Sequence, residues 1–332
     1  MINMTLKFFK AFVPLAFLLS LVFSSNVMAS AKVAVIYDAG GKFDKSFNES
    51  AYRGIEKFKT VTGFDYIDFE IKNDTQREQA IERMARKTDL VFVVGFKFIT
   101  PLANMAPKFP DTKFVIIDAV VDQPNVKSVL FKEHEGSFLV GAIAAMKSKT
   151  GVVGFIGGMN ISIIKKFELG YKEGAKYINP DIEVVSNFIG NTNAAWSDTA
   201  KSKELAISQY SRGADVIFHA AGPAGIGVLQ AASEKNIFGI GVDSNQNYMY
   251  PGFVLTSMLK AVDRVVFETS KDFMNGQFQS GVFELGLEEG GVGYALDEYN
   301  KHLFTDDMNA KLKTIKTKIL NGKINVPDFT KK

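Results

Sequence analysis

The chain has 332 residues, 46% of them hydrophobic and 23% charged, which excludes intrinsic disorder and is length enough for two domains of about 150 residues. Lys and Arg number 39 against 36 Asp and Glu, a formal charge of +3, so charge gives no sign of a nucleic-acid-binding surface. With no cysteine and only His134, His219 and His302, disulfides, thiolate metal sites, cysteine nucleophiles and an acylated cysteine are excluded, and little is left for a zinc site.

Residues 1–10 carry Lys7 and Lys10 and no acid. The apolar run 11–23, interrupted by Pro14, is short against the roughly 20 residues of a membrane span. With Val27-Met28-Ala29 behind it, this reads as a secretory signal peptide, 1–29, cleaved near Ala29 so that the mature chain begins at Ser30. Export without a cysteine to acylate predicts no direct membrane anchor and a place in the periplasm of a two-membrane bacterium.

From Lys32 onward short apolar runs alternate with longer amphipathic ones, the pattern of parallel strands covered by crossover helices. Strands are expected at 32–37, 64–71, 90–94, 113–118 and 126–131, with helices near 46–60, 76–87 and 100–108. A second series has strands at 152–156, 183–189, 216–219 and 238–242 and helices near 163–177, 194–211 and 223–235. A strand at 253–258, a helix around 261–276, a strand around 281–287 and a helix near 306–320 are too few for a third domain. They are expected to complete the two sheets through several crossovers, with a hinge. The expected fold is α/β, with two doubly wound lobes. Lobe 1 would be 30–131 plus about 253–285, and lobe 2 would be 132–252 plus about 286–332. Glycine-containing loops at 38–41 and 157–160 follow the first strand of each series, where open α/β sheets bind ligands.

Catalytic signatures are missing. There is no phosphate loop, H-E-x-x-H, EF-hand loop or G-x-S-x-G elbow. Gly222-Pro223-Ala224-Gly225-Ile226-Gly227 has the wrong spacing for a dinucleotide fingerprint, and Pro223 reads as an ordinary helix start. His219 ends a buried strand with no Ser or Cys nucleophile to pair with it, which favours a hydrogen-bonded structural role. No cofactor and no metal are expected, and the chemistry on offer is binding. Asp118 and Asp243 each end an apolar strand, where a carboxylate is costly unless exposed or paired. Trp196, the only tryptophan, stands among Asn, Ser and Asp.

The segment Asp38-Ala39-Gly40-Gly41-Lys42-Phe43-Asp44-Lys45-Ser46-Phe47-Asn48-Glu49-Ser50-Ala51-Tyr52-Arg53-Gly54 resembles the opening of the basic membrane protein family of purine-nucleoside receptors. Further motifs follow in order: Val115-Ile116-Ile117-Asp118, Glu135-Gly136-Ser137-Phe138-Leu139-Val140-Gly141, Gly190-Asn191-Thr192-Asn193-Ala194-Ala195-Trp196-Ser197-Asp198, Gly241-Val242-Asp243-Ser244-Asn245-Gln246 and Ser257-Met258-Leu259-Lys260. The resemblance spans essentially the whole mature chain. It implies a type I periplasmic-binding fold acting as solute receptor for an ABC transporter, with a permease in the inner membrane as partner; many members are lipoproteins, which this chain cannot be. It also implies that Phe47 and Trp196 sandwich a base, that Asn48 and Asp118 bond its edge, and that Asp243 and Lys260 hold the ribose with backbone near Gly222, Asp44 being a further ligand residue. Two stacks of roughly 1–3 kcal/mol and charged hydrogen bonds of about 1.5–3 kcal/mol suffice for micromolar or tighter binding. The alternatives are a sensor docking on a membrane signalling receptor and a receptor for a non-nucleoside small molecule. A nucleoside hydrolase would want a metal held by clustered carboxylates, and no such cluster is seen.

Overall fold

The computed structural model describes residues 1 and 32–331; the expected signal peptide, Met1 apart, lies outside the described residues. The first series of elements is β1 (Val33–Tyr37), α1 (Phe47–Thr62), β2 (Tyr66–Glu70), α2 (Arg77–Ala85), β3 (Leu90–Val94), α3 (Ile99–Met105), β4 (Lys113–Ile117) and β5 (Val126–Phe131). The second is α4 (Glu133–Lys147), β6 (Val152–Met159), α5 (Ser162–Ile178), β7 (Glu183–Gly190), α6 (Thr199–Ser211), β8 (Val216–Ala220), α7 (Ile226–Lys235) and β9 (Phe238–Asp243). Then come β10 (Val254–Lys260), α8 (Val262–Met274), β11 (Gly281–Leu285), β12 (Val292–Tyr294) and α9 (Asp306–Leu320).

One sheet runs β11-β5-β4-β3-β1-β2 and the other β12-β10-β9-β8-β6-β7. The first is wholly parallel, and in the second only β12 is antiparallel, to β10. Strands β1 and β3 are buried at every position, because helices cover both faces. Their side chains alternate between two cores: Val33, Val35, Leu90 and Phe92 face the core shared with the other lobe, and Ala34, Ile36, Val91 and Val93 face α2 and α3.

The chain passes between lobes three times: at Lys132, at Ala261 and over 286–291. These crossovers are bonded to one another, Lys132 N–H to the Leu285 carbonyl and Ala261 N–H to the Gly291 carbonyl, each at 2.9 Å. The expectation that lobe 1 resumes at about 253 needs correction. Strand β10 pairs in parallel with β9 in the second sheet, and the return to lobe 1 comes with α8, which packs on α1. An apolar run carries no mark of which sheet it joins.

Two elements lack a sequence signal. Helix α4 is apolar nearly all round and buried from Gly136 to Ala144, so the one-sided period that betrays a surface helix is missing. It crosses α5 backbone to backbone: a Cβ at Gly141 would lie 2.1 Å from the Tyr171 carbonyl oxygen, and one at Gly174 1.9 Å from that of Phe138. Strand β12 is three residues long and directly follows Glu288-Glu289-Gly290-Gly291. The expected helix 194–211 divides into a 3-10 turn, Asn193–Trp196, and α6, which starts after Asp198 caps the Lys201 N–H at 2.8 Å. Pro223 likewise sits in a 3-10 turn, Gly222–Gly225, ahead of α7. No helix among the described residues is long and apolar enough to cross a membrane.

Candidate functional site

The carboxyl ends of both sheets face a cavity between the lobes, with about 770 Å³ of empty space including its open mouth, in the range of small-molecule sites. All eight residues singled out from the sequence line it: Asp44, Phe47, Asn48 and Asp118 from lobe 1, and Trp196, Gly222, Asp243 and Lys260 from lobe 2. Asp38, Phe96, Lys97, Ile163, Phe167 and Pro223 are among the other residues of its wall.

Asp44 organises the start of α1. Its Oδ1 accepts from the backbone N–H of Ser46 (2.8 Å) and Glu49 (3.0 Å), and its Oδ2 from that of Asn48 (3.0 Å). Burial pushes its carboxyl up in spite of these bonds. Both of its oxygens are thus engaged by the start of the helix that carries Phe47 and Asn48. The Asn48 side chain donates to the Asp38 carbonyl at 3.3 Å, while its own Oδ1 is buried without a protein partner.

Asp118 and Asp243 follow β4 and end β9 with φ of 69° and 63°. Left-handed backbone at a non-glycine residue is uncommon and gathers at functional sites; here it turns two strand-end carboxylates into the cleft. Asp243 accepts the Ser46 hydroxyl at 2.6 Å. Lys260 donates to Asp118 Oδ2 at 2.6 Å and lies 3.0 Å from Glu133 Oε1, whose second oxygen is 3.1 Å from Lys166. Asp118 Oδ1 is buried with no protein partner. Burial pushes Asp243 up to about 6 and raises Asp118 against the pull of Lys260. Burial works against the Lys260 charge as well, but Asp118, Glu133 and Asp243 together hold its ammonium above the usual lysine range. The same ammonium lies 5.0, 5.1 and 5.8 Å from the ring centroids of Phe47, Phe131 and Phe167, so an aromatic cage adds cation–π attraction.

Phe47 and Trp196 enter from opposite lobes, both half-buried. The expected loop at 157–160 is instead a continuation of β6 as far as Met159, and this serves the indole. A Cβ at Gly158 would stand 2.4 Å from Trp196 Cζ3, so only glycine lets the ring lie on the strand.

His219 has the structural role expected of it. It is fully buried, its ring Nε2 lies 3.1 Å from Gln246 Oε1, and burial pulls it down to about 4. Gln246 in turn donates to the Lys45 carbonyl at 3.0 Å, bracing one lobe against the other. Among the described residues no three His, Asp or Glu gather to hold a metal.

Asp38 was not singled out as a site residue, although it stands directly after β1 as Asp118 stands after β4. That shared strand-end position was the available signal. Its Oδ1 accepts from Arg77 and from the Ala39 N–H, and its Oδ2 lies beside Gly95, another lining residue. Lys97, Phe96 and Phe167 have no comparable mark in the sequence.

A family model described as ABC transporter substrate-binding protein PnrA-like matches residues 31–330. The chain is 35% identical over 330 residues to the ABC transporter nucleoside-binding protein BmpA of Lactococcus lactis subsp. cremoris, with 92% of this chain and 91% of that one covered. It is 34% identical over 305 residues to basic membrane protein A of Borreliella burgdorferi, covering 89% and 87%. Among solved structures, an ABC transporter solute-binding protein from Aeropyrum pernix K1 aligns with a TM-score of 0.81 and 28% identity over 90% of this chain and 94% of that chain. Another from Conexibacter woesei aligns at 0.74 and 22% over 90% and 99%. The architecture is the type I periplasmic-binding fold, two doubly wound α/β lobes with a hinge and an interlobe cleft.

Proposed function

The chain belongs to the family of PnrA-like ABC transporter substrate-binding proteins, and we propose that its cleft takes a purine nucleoside and delivers it to an inner-membrane permease from the periplasmic side. The observation that carries this reading is the pairing, around one cavity, of aromatic faces from opposite lobes with buried acceptors that have no protein partner, Asn48 Oδ1 and Asp118 Oδ1. Leaving such atoms unsatisfied costs about 1–3 kcal/mol each, so they favour a ligand that brings N–H and O–H donors. Phe47 and Trp196 offer aromatic faces from the two lobes on which a flat purine could stack, and vicinal ribose hydroxyls suit the carboxylates of Asp118 and Asp243 beside the Lys260 ammonium. Asp118, expected at the base edge, is better placed at the sugar end because its other oxygen is bonded to Lys260. Asn48 and Asp38 remain for the base edge. Binding and lobe closure need no covalent step.

Titration calorimetry on protein freed of endogenous ligand, against inosine, guanosine, adenosine, free bases, ribose and amino acids, tests this. Micromolar or tighter binding of at least one nucleoside is expected. Heat with sugars or amino acids alone overturns the nucleoside reading.

A pH dependence with two opposite signs follows. Carboxyls raised by burial stabilise the folded, ligand-free state fully below about pH 4 and lose that contribution as pH rises through about 6. Ribose hydroxyls instead require the ionised carboxylates. Lowering pH from 7 to 5 should therefore raise the share of ligand-free stability owed to Asp118 and Asp243 while weakening nucleoside affinity, by up to about tenfold per pH unit for each carboxylate that must ionise. Calorimetry at both pH values checks this, and an unchanged affinity would sink it.

A further inference from the structure

A polar chain crosses the mouth of the cleft, apart from the hinge. Arg77, the first residue of α2, is 3% exposed. Its Nη2 donates to Asp38 Oδ1 and its Nη1 to Asp74 Oδ1, the latter at 2.6 Å. Asp38 lines the cavity, whereas Asp74 stands in the exposed turn before α2. Both Asp74 oxygens in turn accept the side-chain amide of Asn193, from the opposite lobe, at 3.1 and 3.0 Å. Asn193 opens the 3-10 turn that ends in Trp196. On each side, then, the rim group is tied to a cavity group: Asp74 through one guanidinium to Asp38, and Asn193 through one turn to the indole. The guanidinium also packs 5.3 Å from the Phe98 ring centroid, which fixes its plane between the two carboxylates.

We propose that Arg77 is a positioning residue of the cleft: it holds Asp38 in the cavity wall and presents Asp74 as the lobe 1 half of a closing clasp whose lobe 2 half is Asn193. Opening the lobes exchanges the Asn193–Asp74 bonds for water, while Arg77 keeps Asp74 and Asp38 in place for the next closure. The clasp therefore acts on the lifetime of the closed state and little on encounter. Arg77 acts on both, because without it two acids face one another with no shared cation. A lysine at this position cannot reproduce the forked contact.

The choice of probe alone rests on the nucleoside reading. Trp196 is the only tryptophan and reports on the cavity, so inosine binding can be followed by stopped-flow fluorescence. Asn193→Ala and Asp74→Ala are each expected to raise koff about 3–10-fold with kon within about twofold of the parent, and the double variant to be no worse than the worse single. Arg77→Met should lower affinity at least about tenfold, with Arg77→Lys restoring only part of it. An unchanged koff in both single variants, or additive losses in the double, overturns the clasp. A second readout needs no ligand. The chain has no cysteine, so the Asp74→Cys, Asn193→Cys double variant can be treated with a short bis-maleimide, to which both thiols add; an intramolecular link is expected, and its absence overturns the proposal. If inosine fails to bind the parent protein, the nucleoside reading fails and the crosslink alone decides the clasp.

Discussion

Lys260→Met should abolish nucleoside binding, with affinity falling at least about a thousandfold, and should lower the melting temperature by about 10 °C. Lys260 is 3% exposed and bridges Asp118 at 2.6 Å and Glu133 at 3.0 Å. Removing one partner of a buried pair costs about 3–5 kcal/mol because the other charge is left behind, and here two bonded carboxylates are left behind with Asp243 close by. Lys166 holds only the far oxygen of Glu133, at 3.1 Å, and is itself bonded to the Phe131 carbonyl at 2.6 Å, so it cannot substitute. On the proposed nucleoside reading, the binding loss adds the ribose contacts to a local repulsion. A pH signature separates this account from simple misfolding. Without the ammonium, Asp118 and Asp243 titrate higher still, so the variant's melting deficit should shrink at about pH 5 relative to pH 7.5, where both carry charge. Scanning calorimetry at the two pH values measures it, and a deficit equal at both would defeat the explanation.

The second large effect concerns the indole. Trp196→Ala should weaken nucleoside binding about 10–100-fold, the worth of a base–aromatic stack, with little change in melting temperature, since the side chain is half-buried on an exposed turn. Trp196→Phe should keep most of the affinity. Gly158→Val tests the same contact from beneath: its side chain would occupy the place of the ring, which passes 2.4 Å from an ideal Cβ, so the ring must leave and the affinity must drop as in Trp196→Ala. Full affinity in Gly158→Val, with the protein folded by circular dichroism, would mean that the indole position is not the one that meets the ligand.

Much of the fold was legible because it rests on local pattern. The continuous apolar run at 90–94 is a strand because both faces of a parallel sheet are covered, and it appears as β3 over the expected residues. The site was legible to the extent that its residues sit at strand ends or helix starts, where a polar residue interrupts an apolar run. Asp118 and Asp243 carry that mark, Phe47 and Asn48 came from the family resemblance, and all four line the cavity. Asp38 has the same local mark and was passed over. Trp196 was visible from its company, but not the bare glycine strand on which it lies.

Composition and periodicity locate most of the buried strands of this chain, though not the end of β6, because burial of one face and the pleat of a strand are written into neighbouring residues. They leave open which distant residue each buried group meets. That Val254–Lys260 joins the second sheet, that Glu133–Lys147 is a helix wedged against α5, and that Lys260 finds Asp118, 142 positions away, and Glu133 follow from closing two sheets over three crossovers. A buried charge needs a partner within bonding distance, whatever the separation along the chain, and it is the packing of the lobes that supplies one.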